Sequence, residues 1–294
     1  MESHPGHPGM PARLLHWALV FVVLASIGSV SAQRWRDRFD EDDSPTPPPE
    51  NQWKNPRGFE HDVFTFARVI YDSGSDDYGY FGRKWKIDWP DADWNFSYRL
   101  KEITALEVDP VGVKLRLTDE RLADYPFIYM VEPGGILLNP AEIEALRAYL
   151  LNGGFMMVDD FWGDYEWDTF ERAMKQVFPD RKIVDLTIEH EIFNTVFPLS
   201  ETLGELPQIP NVGTGQQSQW DGVTWETRKG PGARDVHYRA IMDDQDRIMV
   251  MICHNTDLGD GWEREGEYEY FFREFSEKKA YPLGINIIFY AMTH

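Results

Sequence analysis

The sequence predicts an α/β domain: a mostly parallel sheet, helices on both of its faces and long connecting loops. Three observations carry this. Residues 125–158 run strand, helix, strand, and a further helix and strand follow through residue 186. The strand segments "FIYMV" and "FMMV" are continuously apolar rather than alternating, as strands covered on both faces are. Glycine, proline and asparagine stand at the joints where the periodicity changes.

The elements follow in order. "VFTFARVIY", residues 63–71, has the β-branched and aromatic bias of a buried first strand. Residues 72–93, "DSGSDDYGYFGRKWKIDWPDAD", read as a long loop, and loops of this length are often functional. "WNFSYRLKEITAL" has helical spacing, with Phe96, Leu100, Ile103 and Leu106 on one face. "VKLRL" is a short strand, and residues 125–132 form a strand entered through a proline. Asn139 is an N-cap with Pro140 at the first helical position; Ile143, Leu146 and Leu150 then share a face until the glycine pair ends the helix. "FMMVDDF" is the next strand, "EWDTFERAMKQVF" the next helix and "RKIVDL" another strand of the parallel sheet.

Beyond Leu186, "TIEHEIFNTVFPL" is a short helix or turn, and residues 200–235 form a glycine- and proline-punctuated loop. "VHYRAIMD" and "RIMVMICH" are two strands joined by a turn at residues 243–246. "YPLGINIIFYAMTH" is a buried closing helix.

Ahead of the domain, Arg13 precedes the apolar or small run "ALVFVVLASIGSV", and "VSA" precedes Gln33. This describes a secretory signal peptide over residues 1–32, with an uncleaved signal anchor as the alternative because the polar stretch before the apolar core is long. Residues 33–58 read as a flexible acidic, proline-rich tether, and residues 59–294 as the folded domain. The expectation is a secreted or periplasmic protein with no transmembrane span after signal cleavage.

The 50 acidic residues outnumber the 29 basic ones, for a formal charge of -21. Such a surface repels phosphate backbones, which argues against nucleic acid and leaves cations, neutral sugars and basic proteins as partners. Cys253 is the one cysteine, so no internal disulfide exists; its apolar setting reads as a buried small hydrophobe rather than a nucleophile.

"DYPFIYMVEPGGILLNPAEIEALRAYLLNGGFMMVDD" resembles the central unit of class I glutamine-amidotransferase-like proteins, above all their trehalose-utilisation-like branch. "IEHEIFNTVFPL" resembles that branch's aspartate–histidine–proline–isoleucine turn, with Glu191 in place of the proline, and "DRIMVMICHNTDLGDGW" resembles its late strand ending in a histidine. Over residues 59–294 the chain is similar to a bacterial family of domains of unknown function, number 4159, which shares "HNTDLGDGW" and "YPLGINIIFYAMTH". The resemblance implies a flavodoxin-like, amidotransferase-like sheet. It also implies export and envelope partners, because members are often exported and encoded near MoxR-type ATPases and von Willebrand A-domain proteins. It carries no activity. Amidotransferases place a cysteine on the tight turn after the strand matching "FMMV"; here Asp159, Asp160 and Phe161 occupy it, with no Cys, Ser or Thr before Thr169. No glutaminase is therefore expected.

Ligands of open α/β sheets bind beyond the carboxyl ends of the strands. There the sequence puts Asp72, Glu132, Asp159, Asp160, His254 and Asp257, with His190 in the loop after "RKIVDL". Alternation sends Asp159 and Asp160 to opposite sides, so at most one of them faces a shared cleft. Two chemistries fit: a cation held by carboxylate and imidazole, and a sugar stacked on aromatics, with Trp85, Trp162 and Trp262 as contact candidates. The plainer alternatives are that the acids cap a helix or bind loop amides, that the histidines satisfy backbone groups and that the rings plug the core. "DLGDG" lacks the alternating acids of a calcium loop. No resident cofactor is expected, with a divalent metal left open. The functional expectation is an exported ligand-binding or assembly domain of the cell envelope. The alternative is a metal-assisted hydrolase of a carbohydrate or related small molecule that uses His190 and His254.

Overall fold

A computed structural model of the chain describes residues 45–56, 58, 62–74 and 83–294. The expected signal peptide and residues 33–44 of the expected tether lie outside these residues. The folded unit spans Pro47–His294 and so begins earlier than the boundary expected at residue 59. Polar side chains explain the difference. Asn51 is buried and donates through Nδ2 to the carbonyls of Trp94 (2.8 Å) and Pro110 (3.1 Å), and Trp53 Nε1 donates to the Val108 carbonyl at 2.9 Å.

Strands β1 (Ala67–Ile70) and β2 (Asp72–Ser73) precede helix α1 (Asp91–Ile103). Strands β3 (Val113–Arg116), β4 (Phe127–Val131) and β5 (Ile136–Leu137) lead to α2 (Pro140–Leu151). Strand β6 (Phe155–Phe161) feeds α3 (Gly163–Val177), followed by β7 (Ile183–Asp185), α4 (Leu199–Thr202) and α5 (Val212–Asp221). The hairpin of β8 (His237–Met242) and β9 (Ile248–His254) runs into α6 (Leu258–Glu263) and α7 (Glu269–Phe271). A π-helical stretch, Phe272–Ala280, continues into α8 (Tyr281–Thr293).

Among the described residues, the main sheet has the order β3-β1-β4-β6-β9-β8-β7. The first five strands are mutually parallel, while β8 and β7 add an antiparallel edge beyond β9. Strand β6 lies at the centre, every residue buried, with Met157 opposite Tyr129 of β4 and Met251 of β9. Successive side chains of the inner strands enter opposite cores, as the two-residue period of a strand requires. Tyr129 and Met157 join Phe96 and Leu100 of α1 and Ile287 of α8 on one face, whereas Met130 and Val158 join Leu146 of α2 and Phe170 of α3 on the other. Burying each such side chain contributes about 1.5–3 kcal/mol. The N-terminus of α2 is built as its sequence demands: Asn139 accepts from the amides of Ala141 and Glu142, and Glu142 reaches back to the Asn139 amide.

Three expectations differ from the fold. The strand at "RKIVDL" is antiparallel to its neighbour β8 and sits at the sheet margin, with Val184 and Asp185 exposed. The tight turn at residues 243–246 forces β8 antiparallel to β9, and no crossover helix returns β7 to the parallel strands. The loop expected over residues 200–235 contains α5, capped by Asn211, which accepts from the Thr214 amide at 2.9 Å. Its glycines hide the helical pattern, yet Gly215 is needed: a Cβ there would stand 2.5 Å from Phe271 Cδ2. Ile103 is 51% exposed and Leu106 lies past the end of α1, so that helix buries Phe96 and Leu100 without them.

Candidate functional site

The twin aspartates at the end of β6 take different roles. Asp159 is fully buried and its Oδ2 accepts from the backbone amides of Leu258 (2.9 Å) and Gly259 (3.0 Å) and from the Tyr129 hydroxyl (3.1 Å). It therefore pins the first turn of α6, as one of the plain readings has it. Burial raises its carboxyl to about 7 even against those donors. Asp160 turns the other way. The β6–β9 pairing shifts register between Val158 and Phe161, and Asp160 adopts a left-handed φ of 54°. Its carboxylate lines a cleft of about 370 Å³ at the carboxyl ends of the parallel strands, with Trp162 Nε1 donating to Oδ1 at 2.9 Å.

Three segments far apart in sequence meet there. Asp88 arrives on the connection before α1, Asp160 on the end of β6 and Asp257 at the N-cap of α6. Each offers one carboxylate oxygen, and these oxygens lie within 4.8 Å of one another. Asp88 also belongs to a second group, with Asp260 and Glu263, that meets the same limit. Asp160 and Asp257 are 8% and 4% exposed. Each has one oxygen tied, Asp160 to Trp162 and Asp257 to the Asp260 amide at 2.7 Å; their second oxygens have no hydrogen-bond partner among the described residues. Asp88 Oδ2 is likewise sealed from solvent without a partner.

Burial pushes the Asp88, Asp160 and Asp257 carboxyls well above the ordinary range. Neighbouring carboxylates push further: Asp260 and Glu263 on Asp88, Glu132 and Asp88 on Asp160, and Asp160 and Asp260 on Asp257. Burial raises Glu263 to about 7 against the pull of Arg264. The glutamates of the cleft, and Asp260 with Arg264 at 3.7 Å, have bases beside them. Glu132 pairs with Lys84, Glu166 with Lys229 at 2.6 Å, Glu226 with Arg228 at 3.4 Å and Glu263 with Arg264 at 2.7 Å. Among the described residues, no ion pair reaches Asp88, Asp160 or Asp257. These three carry the unbalanced charge of the cleft. Such a set of hard oxygen donors suits Mg²⁺, Ca²⁺ or Mn²⁺ rather than a softer ion.

The surroundings hold this arrangement in place. Fully buried Arg68 on β1 grips Asp93 of α1 with Nε at 3.0 Å and donates through Nη1 to the carbonyls of Trp85 (3.0 Å) and Ile87 (2.9 Å). That fixes the segment that delivers Asp88. Gly259 leaves room for this carboxylate, because a Cβ there would stand 2.3 Å from Asp88 Oδ2 and displace it. Asp88, Glu132 and Asp160 all have left-handed backbones, with φ of 62°, 49° and 54°. Non-glycine residues in that region cost of order 1 kcal/mol or more each and gather at functional sites. The chain belongs to the family of the domain of unknown function DUF4159. That family's model matches residues 65–292. Among curated proteins, no relative matches the chain.

Of the sequence-derived set, the cleft of this DUF4159 domain gathers Glu132, Asp160 and Asp257, with Trp162 beside them. Asp72 lies on β2, 3.5 Å from Arg116. His190 sits in the turn after β7, where its Nδ1 accepts from the Ile192 amide at 3.2 Å. His254 is buried with Nε2 facing the Gly163 carbonyl (3.3 Å) and Nδ1 facing Arg239 (3.1 Å). Burial and the Arg239 charge lower its pKa to about 3, so it is neutral. Trp85 and Trp262 are 3% and 0% exposed and belong to the two cores. Sequence reasoning alone does not single out Asp88, Asp260 or Glu263. The signal for two of them was present, because acids at 257, 260 and 263 recur every three residues and share one face of a helix. Asp88 had none, being one acid among several in a long loop.

Proposed function

We propose that this chain is an exported, cation-dependent ligand-binding domain whose cleft holds a hard divalent ion on Asp88, Asp160 and Asp257. The observation that carries the reading is the meeting of three carboxylate oxygens within 4.8 Å, from separate segments and without an ion-pair partner. Like charges buried this closely repel unless protons or a cation intervene. A divalent ion replaces the protons and supplies the missing partner.

The fold reading is flavodoxin-like and amidotransferase-like. It is supported by the strand order: numbered among themselves, the five parallel strands run 2-1-3-4-5, and the cleft lies beyond their carboxyl ends. Asp160, with its left-handed backbone at the end of the central strand, stands where the resemblance would put the nucleophilic cysteine. Cys253 is buried in β9, so the reading includes no glutaminase activity. A hydrolase built on His190 and His254 has little support, since neither ring lines the cleft. Export rests on the leader-like start of the sequence. Among the described residues no helix is long and apolar enough to cross a membrane.

Calorimetric titration of the protein with Mg²⁺, Ca²⁺ and Mn²⁺ tests the reading. At least one ion binds with a stoichiometry near one. Asp160→Asn and Asp257→Asn each weaken it by more than about 100-fold, because losing a ligand exceeds the 10- to 100-fold cost of losing a residue that merely orients one. No heat with any of the three ions, or undiminished binding in both variants, refutes the proposal.

A further inference from the structure

The charge pattern of the cleft narrows what a bound cation could present. Each glutamate of the lining has a base beside it, with Arg264 serving both Glu263 and Asp260, which leaves at least three formal negative charges, on Asp88, Asp160 and Asp257. One divalent ion leaves at least one net negative charge. A phosphate or carboxylate ligand arriving at the ion would meet that residual charge, and Lys84, Arg228, Lys229 and Arg264 already face acids, while Lys86 lies over the Trp89 ring at 5.2 Å. A neutral oxygen donor meets no such repulsion.

Coordination arithmetic points the same way. Three carboxylates supply three oxygens when each binds through one atom, whereas Mg²⁺ and Mn²⁺ take about six and Ca²⁺ six to eight. The remaining positions face an open cleft of about 370 Å³, within the ~300–1,000 Å³ usual for small-ligand sites. The cation site is more than a group of acids, because Asp160 and Asp257 are over nine-tenths buried and each keeps one oxygen without a hydrogen-bond partner. Trp89 and Ile87 line the same cleft beside the acids, half-buried, with the Lys114 and Lys86 ammonium groups 4.1 and 5.2 Å from the Trp89 ring centre. A carbon skeleton carrying adjacent hydroxyls fits both features: two neutral oxygens chelate the ion while C–H groups rest on the indole.

Resting on the cation reading above, we propose that the ligand is a neutral polyhydroxyl compound of the monosaccharide class, bound through a vicinal diol that completes the coordination of the ion. The diol displaces water from the ion, and neither covalent bonds nor electrons change hands.

The test uses the full chain loaded with Mn²⁺, whose binding is measured first by itself. Methyl α-D-mannopyranoside, methyl β-D-galactopyranoside and methyl α-D-glucopyranoside are then titrated in, with inorganic phosphate and spermidine as contrasting probes. Relaxation of water protons reports the water left on the ion. The expected result is saturable binding of at least one sugar, a fall in water relaxation as it binds, and loss of that binding by at least tenfold with a chelator. Trp89→Ala weakens the sugar and spares the ion. If Mn²⁺ binds but no sugar does, or phosphate binds instead, this proposal fails and the cation reading stands. Sugar binding that survives the chelator removes the role given to the ion. If Mn²⁺, Mg²⁺ and Ca²⁺ all fail to bind, or spermidine occupies the acids in their place, both readings fall together; if only Mg²⁺ or Ca²⁺ binds, the same sugars are titrated calorimetrically into that complex with the same two outcomes.

Discussion

The two ends of the parallel strands are built to opposite specifications. At the amino ends, between α2 and β6, polar groups are answered by neighbours. Tyr149 donates its hydroxyl to the carbonyls of Tyr125 (2.8 Å) and Phe155 (3.3 Å), and Arg247 reaches the Leu150 carbonyl at 3.2 Å. Glycine takes the one left-handed position of that turn, Gly153 with φ 102°. At the carboxyl ends the same sheet carries acids without bases and several non-glycine residues in left-handed conformations, against Asp246 in the turn before β9 at the amino ends. A chain selected for stability alone would treat both ends like the first. The difference marks the second end as the place where stability is given up for binding.

The sharpest way to break this comparison is to disturb the carboxyl end without removing a charge. Gly259→Ala drives a methyl group into Asp88 Oδ2 and moves that carboxylate. Cation affinity falls by about 10- to 100-fold while the overall fold is kept, as titration and circular dichroism would record. Unchanged affinity would mean that Asp88 is not a ligand.

A smaller effect separates stability from function at Asp160. Its carboxyl is raised above the usual range, so protonation stabilises the fold at low pH. That contribution is complete below about pH 4 and is lost as pH rises through the folded value. Asp160→Asn removes this loss. In the absence of divalent ions the variant is expected to be more stable than the wild type at pH 8 by about 1–2 kcal/mol, with the gap closing toward pH 4. Urea unfolding at both pH values measures it, and a gap that does not widen with pH would remove the electrostatic strain.

The smallest effect lies at the amino end. Tyr149→Phe drops a hydroxyl that serves two carbonyls and lowers stability by about 1 kcal/mol at either pH, with cation affinity unchanged. A change in affinity would link the two ends and blur the contrast.

What the sequence reveals follows the range of the forces involved. Strand and helix order is written in local periodicity, so "FMMVDDF" and the Asn139–Glu142 cap are legible from a few residues each. Strand alternation anticipates the divergence of Asp159 and Asp160, but the register shift and left-handed backbone at Asp160 are not written in that pattern. The margin position of β7 does not, because it depends on pairing with β8, more than fifty residues later. The site is half legible for the same reason. Asp160 and Asp257 end strands or cap helices, whereas Asp88 is placed by the Arg68 grip, a contact that no spacing within its loop encodes. The histidines invited a metal reading by residue type alone, and packing put both rings to backbone work.

The Arg68 grip has one more consequence. With one guanidinium locking the approach to Asp88, and Asp159 locking the start of α6, the donor atoms have little room to breathe. A cage that cannot expand sorts its guests by ionic radius. Loosening it through Arg68→Lys, which keeps the charge but loses the fork, would show up as blurred discrimination between magnesium and calcium before it showed up as weaker capture of either.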